Sequence, residues 1–212
     1  MTYTGTSANA TVGHGLGVAP KMIIIKDRDG AQNWRVGHSS LTSWAYVVEG
    51  LNTNYAQSSQ PATWNSTAPT STVFSLGTEG GVNFLGRRFV AYCWAEIAGF
   101  SKFGSYTGNG STDGPFVYLG FRPKWIMVKR TDVAGDWQII DTPRQLYNDG
   151  AVANQLRANS SADESTSGTY SVDILSNGFK DRTGASTNWN TNGGTYIYAA
   201  FAENPFKNAL AR

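Results

Sequence analysis

Aromatic side chains in polar loops are the first residues of this sequence whose chemistry could serve a ligand. Their neighbours are Asn, Asp and Ser, and these rings are Trp44, Tyr55, Trp64, Tyr147 and Trp189. Exposed rings stack on the apolar C–H face of a pyranose, while polar neighbours bind its hydroxyl groups. These five residues are therefore predicted sugar contacts. The alternative is that they cap the ends of the fold by apolar packing.

A second candidate contact is the turn Phe84-Leu-Gly-Arg-Arg88, which combines an aromatic ring with two adjacent guanidinium groups. Guanidinium groups pair bidentately with carboxylates and phosphates, which many glycans carry. Phe84, Arg87 and Arg88 are therefore predicted ligand contacts, with Arg87 and Arg88 as the strongest candidates. The alternative is a solvated turn in which the two arginines only add solubility.

The sequence predicts no catalytic residue, metal ligand or cofactor. Asp27-Arg-Asp-Gly30 resembles the start of a calcium loop but lacks the closing Glu, so a turn is the better interpretation. Cys93 lies in an apolar stretch and is predicted to be a small buried hydrophobe. Glycan cleavage would need two opposed carboxylates, and the sequence does not reveal which of its acidic residues approach each other. We therefore expect a protein that is not an enzyme.

Charge and composition exclude several partners. The net charge is +2 and the basic residues are scattered, whereas nucleic-acid binding needs several on one face. The start of the sequence has no basic and apolar segment of the signal-peptide kind, and no apolar run approaches about 20 residues. We therefore expect neither nucleic-acid binding nor membrane insertion, and a protein made in the cytoplasm.

An internal repeat organises the chain. At an offset of 103 residues, 12 of the 32 positions from 3 to 34 are identical, where average composition would give about two. Tyr3, Asp29 and Trp34, for example, match Tyr106, Asp132 and Trp137. Leu51 and Asn54 match Leu156 and Asn159 at an offset of 105, and Asn83, Gly86, Ala95 and Glu96 match their counterparts at 107. We infer a duplication with small loop insertions in the second copy.

Each copy contains short strand-like segments separated by Gly, Asn and Ser turns, which predicts an all-β fold. The expected architecture is two tandem homologous β-sandwich (jelly-roll-like) modules packed together, at 1–99 and 100–212. The alternative is one larger sandwich to which both copies contribute strands. Met22-Ile-Ile-Ile25 is apolar at every position and is expected in a central strand that is covered on both faces. Trp34 and Trp137 are expected to start equivalent strands in equivalent buried places, and 143–156 is expected to be a loop.

Several long motifs resemble an uncharacterised domain family found in structural proteins of tailed phages. They are Phe89-Val-Ala-Tyr-Cys-Trp-Ala-Glu-Ile-Ala-Gly-Phe-Ser-Lys-Phe-Gly-Ser-Tyr-Thr-Gly-Asn-Gly110, Gly120-Phe-Arg-Pro-Lys-Trp-Ile-Met-Val-Lys-Arg-Thr-Asp132, Gly194-Thr-Tyr-Ile-Tyr-Ala-Ala-Phe-Ala-Glu203, Trp64-Asn-Ser-Thr67 and Thr72-Val-Phe-Ser-Leu-Gly77. The resemblance implies a virion protein of the tail-fibre or surface-decoration kind and supplies no catalytic residue. The turn 84–88 departs from the family, which has small polar residues there.

The leading functional hypothesis is therefore a non-enzymatic tail-fibre or adhesin component that binds host surface polysaccharide. The alternatives are a decoration protein that cements other virion subunits and a polysaccharide depolymerase. The expected location is the virion, and the expected partners are other virion proteins. We also expect self-association, as a trimer in a fibre, with the tail from 204 to 212, which carries Phe206 and Leu210, as a candidate contact.

Overall fold

The computed structural model describes residues 1–144, 148, 154–164 and 171–204. Two compact units divide the chain, an N-terminal unit of Met1–Ala95 and a C-terminal unit of Glu96–Arg212. The predicted loop at 143–156, the candidate contact Tyr147, and the tail residues Phe206 and Leu210 lie partly or wholly outside the described residues. The all-β prediction is confirmed, since only two four-residue helices accompany the strands in the described part.

The N-terminal unit contains eight strands and two short helices. They are β1 (Thr2–Thr4), β2 (Ala10–Gly13), β3 (Met22–Asp27), β4 (Arg35–His38), β5 (Tyr46–Val48), β6 (Gln57–Ser59), α1 (Pro61–Trp64), β7 (Val73–Leu76), α2 (Gly80–Asn83) and β8 (Arg88–Trp94). Six strands form an antiparallel sheet in the order β1-β8-β3-β4-β5-β6, and β2 pairs with β7 in a smaller one. The two sheets supply one hydrophobic core in a β-sandwich-like arrangement.

The central position of β3 follows from its sequence. Ile23 and Ile25 belong to the core, and Met22 and Ile24, on the opposite face of the strand, are also buried. Strands β8 and β4 flank β3 in antiparallel register. The prediction that this apolar run forms a central strand covered on both faces is therefore confirmed.

The C-terminal unit also contains eight described strands. They are β9 (Ser101–Thr107), β10 (Phe116–Tyr118), β11 (Pro123–Arg130), β12 (Trp137–Asp141), β13 (Leu156–Arg157), β14 (Val172–Leu175), β15 (Gly178–Asp181) and β16 (Thr195–Ala202). Five form a sheet in the order β13-β12-β11-β16-β9, and three form a sheet in the order β10-β15-β14. Apolar side chains of both sheets fill the core of this unit.

Repeat-related positions make similar hydrogen bonds in the two units. The Trp34 amide donates to Asn52 Oδ1 at 3.0 Å, and the Trp137 amide donates to Asn159 Oδ1 at 2.8 Å. The counterpart of Asn159 by this contact is Asn52, so the predicted match between Asn54 and Asn159 at an offset of 105 is wrong. The two asparagines correspond because each accepts a hydrogen bond from the amide of the matching tryptophan. Residue identity at a fixed offset did not indicate this correspondence. The duplication itself remains an inference from the sequence.

Trp34 and Trp137 do not share one environment, contrary to the prediction. Trp137 opens β12, pairs with Lys129 and is buried. In the N-terminal unit the ladder between β3 and β4 ends at Arg35, so Trp34 lies just outside it. Its ring is half-buried and stacks on Tyr92 with 6.4 Å between the ring centroids. The ladder of the N-terminal unit is therefore one residue shorter at this end. Trp34 is left half-buried, whereas Trp137 is a core residue.

Asn83, at the end of α2, and Asn190 each bind the segment that follows the first strand of their unit. Asn83 is buried, and its Oδ1 accepts from the Thr6 amide at 2.8 Å while its Nδ2 donates to two backbone carbonyls. Asn190 binds the Asn109 amide at 2.8 Å in the same way. A side-chain amide satisfies backbone groups that the strands leave unpaired here.

Replacing Asn83 with alanine should lower the free energy of unfolding by about 2 kcal/mol, because buried backbone groups would lose their partners. Urea unfolding measures the change. As a control, Asn9→Ala removes an exposed amide of the same type at an ordinary backbone position and should change stability little. Equal stability of N83A and the native chain would show that water replaces the lost bonds.

Candidate binding surface

Two of the five predicted loop aromatics are core residues. Trp64 is 1% exposed and Trp189 is fully buried, so the prediction that they stack on a ligand is wrong. Trp64 ends α1 and lies against Gly37, where an added Cβ would come within 2.8 Å of the indole. Trp189 donates from Nε1 to Gln155 Oε1 at 3.0 Å. Their polar neighbours in the sequence wrongly predicted exposure, because each tryptophan side chain projects from a polar segment into the core.

The other predicted loop aromatics do not form a common surface in the described structure. Trp44 is half-buried and meets Trp64 edge to face, with 5.7 Å between centroids. Tyr55 is 52% exposed in the segment before β6. Tyr147 lies outside the described residues. Of this group, Tyr55 keeps an exposed ring that a ligand could reach.

Arg87 is engaged by a buried carboxylate of its own unit. Its Nη1 lies 2.9 Å from Oδ2 of Asp27, a residue that is 1% exposed, and its guanidinium carbon lies 4.1 Å from the centroid of the Phe84 ring. The other oxygen of Asp27 accepts from the Asp29 and Gly30 amides, which confirms the predicted turn. The structure therefore gives Arg87 a role in joining the β3 turn to the β8 turn without a ligand.

Arg88 is engaged in the same turn, by Asp29. The Arg88 side chain forms a two-pronged ion pair with this carboxylate, and the Arg88 amide donates to Asp29 Oδ2 at 2.7 Å. These hydrogen bonds lower the pKa of Asp29 to about 2. Asp132 accepts from the Thr195 amide at the repeat-related place, as expected for a shared stabilising bond. Both guanidinium groups thus have carboxylate partners, and Phe84 remains exposed beside them.

An exposed pair of aromatic rings, absent from the sequence-based prediction, lies on β10. Phe116 is 46% and Tyr118 59% exposed, whereas Val117 between them is buried in the core. Because side chains alternate along a strand, the two rings project from one face of the sheet, with their Cα atoms about 7 Å apart. β10 is an edge strand, so the pair lies at the rim of the three-stranded sheet.

The remaining residues of this face are set by the strand register. Lys180 lies opposite Phe116 and Gly178 opposite Tyr118 on β15, and β14 continues the two rows with Asp173 and Leu175. We call these six residues, with Phe116 and Tyr118 among them, the aromatic face. Gly178 has no room for a side chain, since an added Cβ would meet the Val117 carbonyl and lie 3.1 Å from the Phe116 ring.

Charged groups surround the aromatic face in paired form. Lys180 pairs with Asp113, and Arg182 Nε pairs with Asp173 Oδ2 at 2.8 Å. The Lys180 contact lowers the pKa of Asp113, so this carboxyl is ionised at neutral pH. Exposed rings beside charged hydrogen-bonding groups are a combination suited to ligands with both apolar and hydroxylated surfaces.

A comparison of the two copies could have located this surface in the sequence. At the offset of 103 residues, Phe116 and Tyr118 correspond to Gly13 and Gly15. The buried Val117 between two aromatic residues also has the alternation of a half-exposed strand. The predicted sugar contacts were all aromatic residues in polar loops, and Phe116 and Tyr118 were not among them because they lie on a strand.

The N-terminal unit contains a shallow cavity of about 260 Å³ at the end of β8. It is lined by Met1, His14, Ala91, Tyr92, Cys93 and Trp94. Burial raises the pKa of the Cys93 thiol to about 11, so the thiol is protonated at neutral pH and is a poor nucleophile. Cys93 is partly buried and packs against the core, so its prediction as a small hydrophobe is confirmed but its predicted full burial is not.

The described residues contain no group of three or more His, Cys, Asp or Glu side chains placed to hold a metal ion. A search of the same residues finds no helix with the length and hydropathy needed to cross a membrane.

Comparisons with known proteins place the chain in one family. No curated protein and no solved structure matches it. The family described as a domain of unknown function (DUF7483) matches residues 1–205. Since this match covers nearly the whole sequence, the chain belongs to the DUF7483 family.

Proposed function

We propose that this chain is a non-enzymatic virion surface protein of the tail-fibre or adhesin kind, which binds host surface polysaccharide through the aromatic face. The observation that carries the binding proposal is the exposure of Phe116 and Tyr118 side by side on one edge strand. A virion location is supported by the phage-like motifs of the sequence, such as residues 89–110.

The physical argument concerns which ligand gains most from two exposed rings. Leaving Phe116 and Tyr118 in water forgoes the burial that large apolar side chains normally obtain. A pyranose offers an apolar C–H face to each ring and presents its hydroxyl groups to the side. Lys180 and Asp173 lie on the same face and can bind those hydroxyl groups. Stacking and hydrogen bonding are thus available at one surface.

The rigid setting of the rings also favours binding. The backbone of β10 is fixed by its ladder to β15, and Val117 anchors the strand in the core. A ligand that stacks on these rings therefore orders two short side chains and no loop, which keeps the entropy cost of binding low.

Replacing both Phe116 and Tyr118 with serine should weaken adsorption to host cells or to purified lipopolysaccharide and capsule by at least about tenfold, because both stacking contacts disappear. A glycan array and a whole-cell adsorption assay measure the loss. Because both rings are largely exposed, the variant should fold normally, which circular dichroism checks. Unchanged adsorption by the folded double variant would contradict the proposal.

Tyr55→Ser is the matched control, since it removes an exposed aromatic ring from the N-terminal unit. It should leave binding unchanged, and a loss of binding would move the site to that unit. A protein that binds no glycan but binds purified capsid or tail subunits would support the cementing alternative. Release of reducing ends from capsule would support the depolymerase alternative. Electron microscopy of labelled particles would locate the protein on the virion.

A further inference from the structure

One cation beside the aromatic face has no carboxylate partner in the described structure. Lys102 lies on β9, and its Nζ is 5.1 Å from the centroid of the Tyr118 ring, within the range of a cation–π contact. The ion pairs of the described residues do not include it, and its side chain is half-buried. The Tyr118 end of the face therefore carries an uncompensated positive charge.

The neighbouring cations differ from Lys102 in this respect. Lys180 is bound by Asp113, and Arg182 by Asp173. Arg122 pairs with Glu203 at 3.0 Å. An anionic ligand that approached these three cations would first have to displace their carboxylate partners. The same ligand could pair with Lys102 without displacing a carboxylate.

We propose that the aromatic face selects acidic polysaccharides, with a sugar ring stacked on Tyr118 and its carboxylate paired with Lys102. This inference rests on the proposed function and names its ligand class. An equatorial carboxylate on a pyranose projects from the edge of the ring, so stacking of the C–H face leaves the carboxylate free to meet a cation at the rim of the aromatic side chain. Lys102 Nζ lies over one face of the Tyr118 ring, and its flexible side chain can move to the ring edge to meet the carboxylate of a sugar that stacks on the opposite face.

Charge complementarity favours a glycan over single-stranded nucleic acid, which also stacks on aromatic rings. A nucleic acid carries a phosphate at every step and needs a continuous basic groove. Here the charges at the Phe116 end of the face are already paired, Lys180 with Asp113 and Arg182 with Asp173, so they offer no free cation to the next phosphate. A polysaccharide that carries a carboxylate on only some of its sugars needs one free cation, which Lys102 supplies. It needs none at the neighbouring positions, where the charges are already paired.

The test uses hyaluronate, polygalacturonate and heparosan, each compared with its carboxyl-reduced form, in which the acid becomes a neutral alcohol on the same chain. At least one acid polymer should bind about three- to fivefold more tightly than its reduced form at low salt, the range of a partly exposed ion pair. The difference should shrink as sodium chloride is added. Lys102→Met should abolish it, and Lys102→Arg should retain it.

Lys21→Met is the control for net charge, because Lys21 is an exposed lysine of the N-terminal unit. It should leave the preference intact. Equal binding of acid and reduced polymers, or binding of neutral glycans only, would overturn the acidic preference while leaving the proposed function standing. No binding of any polysaccharide, acidic or neutral, would overturn both. Tighter binding of oligothymidylate than of every glycan would replace the polysaccharide by a nucleic acid.

Discussion

Replacing Arg87 with alanine should lower the free energy of unfolding of the N-terminal unit by about 3 kcal/mol, the low end of the range for removing one partner of a buried ion pair. Asp27 is 1% exposed, and the Arg87 guanidinium is its cationic partner at 2.9 Å. Without it, a carboxylate remains buried with only the amides of Asp29 and Gly30 as donors. These two bonds keep the loss from being larger.

Arg88→Ala is the natural control for this experiment. Arg88 pairs with Asp29 in the same turn, but its side chain is 64% exposed, so its loss should change stability by less than about 1 kcal/mol. Urea unfolding of both variants, followed by tryptophan fluorescence, gives the comparison. Similar stabilities of R87A and R88A would show that Asp27 finds another partner or water.

A double variant at the same contact shows whether the stability lost in R87A comes from an unpaired buried charge. Asp27→Asn combined with Arg87→Met removes both charges and retains most of both volumes. This pair should recover a large part of the stability lost in R87A, because no unpaired charge stays buried. An R87A loss that the double variant does not reduce would point instead to the packing of the arginine stem on Phe84.

Replacing Asp181 with asparagine should stabilise the C-terminal unit by about 3 kcal/mol at pH 7.5, since a buried charge is removed and the side-chain shape is kept. Asp181 is fully buried in β15, and its Oδ2 has no hydrogen-bond partner. Its Oδ1 accepts from the Thr183 amide at 2.7 Å, a bond that asparagine can also make.

The stabilisation should depend on pH in one direction. Burial raises the pKa of Asp181 from 3.8 to about 6. Between these two values the unfolded chain loses its proton while the folded chain keeps it, so the free energy of unfolding falls as pH rises, by about 3 kcal/mol in total. Above pH 6 this contribution is constant. The stability of D181N should therefore match that of the native chain near pH 3.5 and exceed it above pH 6.

Asp113→Asn provides the opposite case. The Lys180 contact lowers the pKa of Asp113, which lies at the surface, so ionisation of this group slightly favours the folded state. D113N should be no more stable than the native chain at neutral pH. Urea midpoints measured from pH 3.5 to 8 for both variants give the test. A D181N curve parallel to the native one would mean that Asp181 is hydrated in the folded protein.

Local sequence patterns predicted the fold class because they depend on neighbouring residues. The apolar run at 22–25 predicted a central strand, and β3 is central in its sheet. The turn at Asp27 was also predictable, since an Asp side chain commonly binds amides two and three residues along. Such contacts span only a few residues, so the order of residues is enough to indicate them.

The candidate site was harder to predict because exposure is a property of the whole sheet. Trp189 and Tyr55 have similar polar neighbours in the sequence, yet one is fully buried and the other is exposed. Their exposure differs because the Trp189 ring projects into the core of its unit, whereas the Tyr55 ring projects into solvent. Phe116 and Tyr118 alternate with an apolar residue, as strand residues do, but only the tertiary structure showed that their side of β10 faces water.

The sequence by itself determined the β-rich architecture and turns such as the one at Asp27, because strand alternation and turn chemistry act over a few residues. The tertiary structure alone decided which charges pair and which rings stay exposed. Asp27 and Arg87 are 60 residues apart, and Lys102 meets Tyr118 across two sheets of one unit. Such contacts depend on strand order and register, which bring distant residues together and which no local pattern encodes.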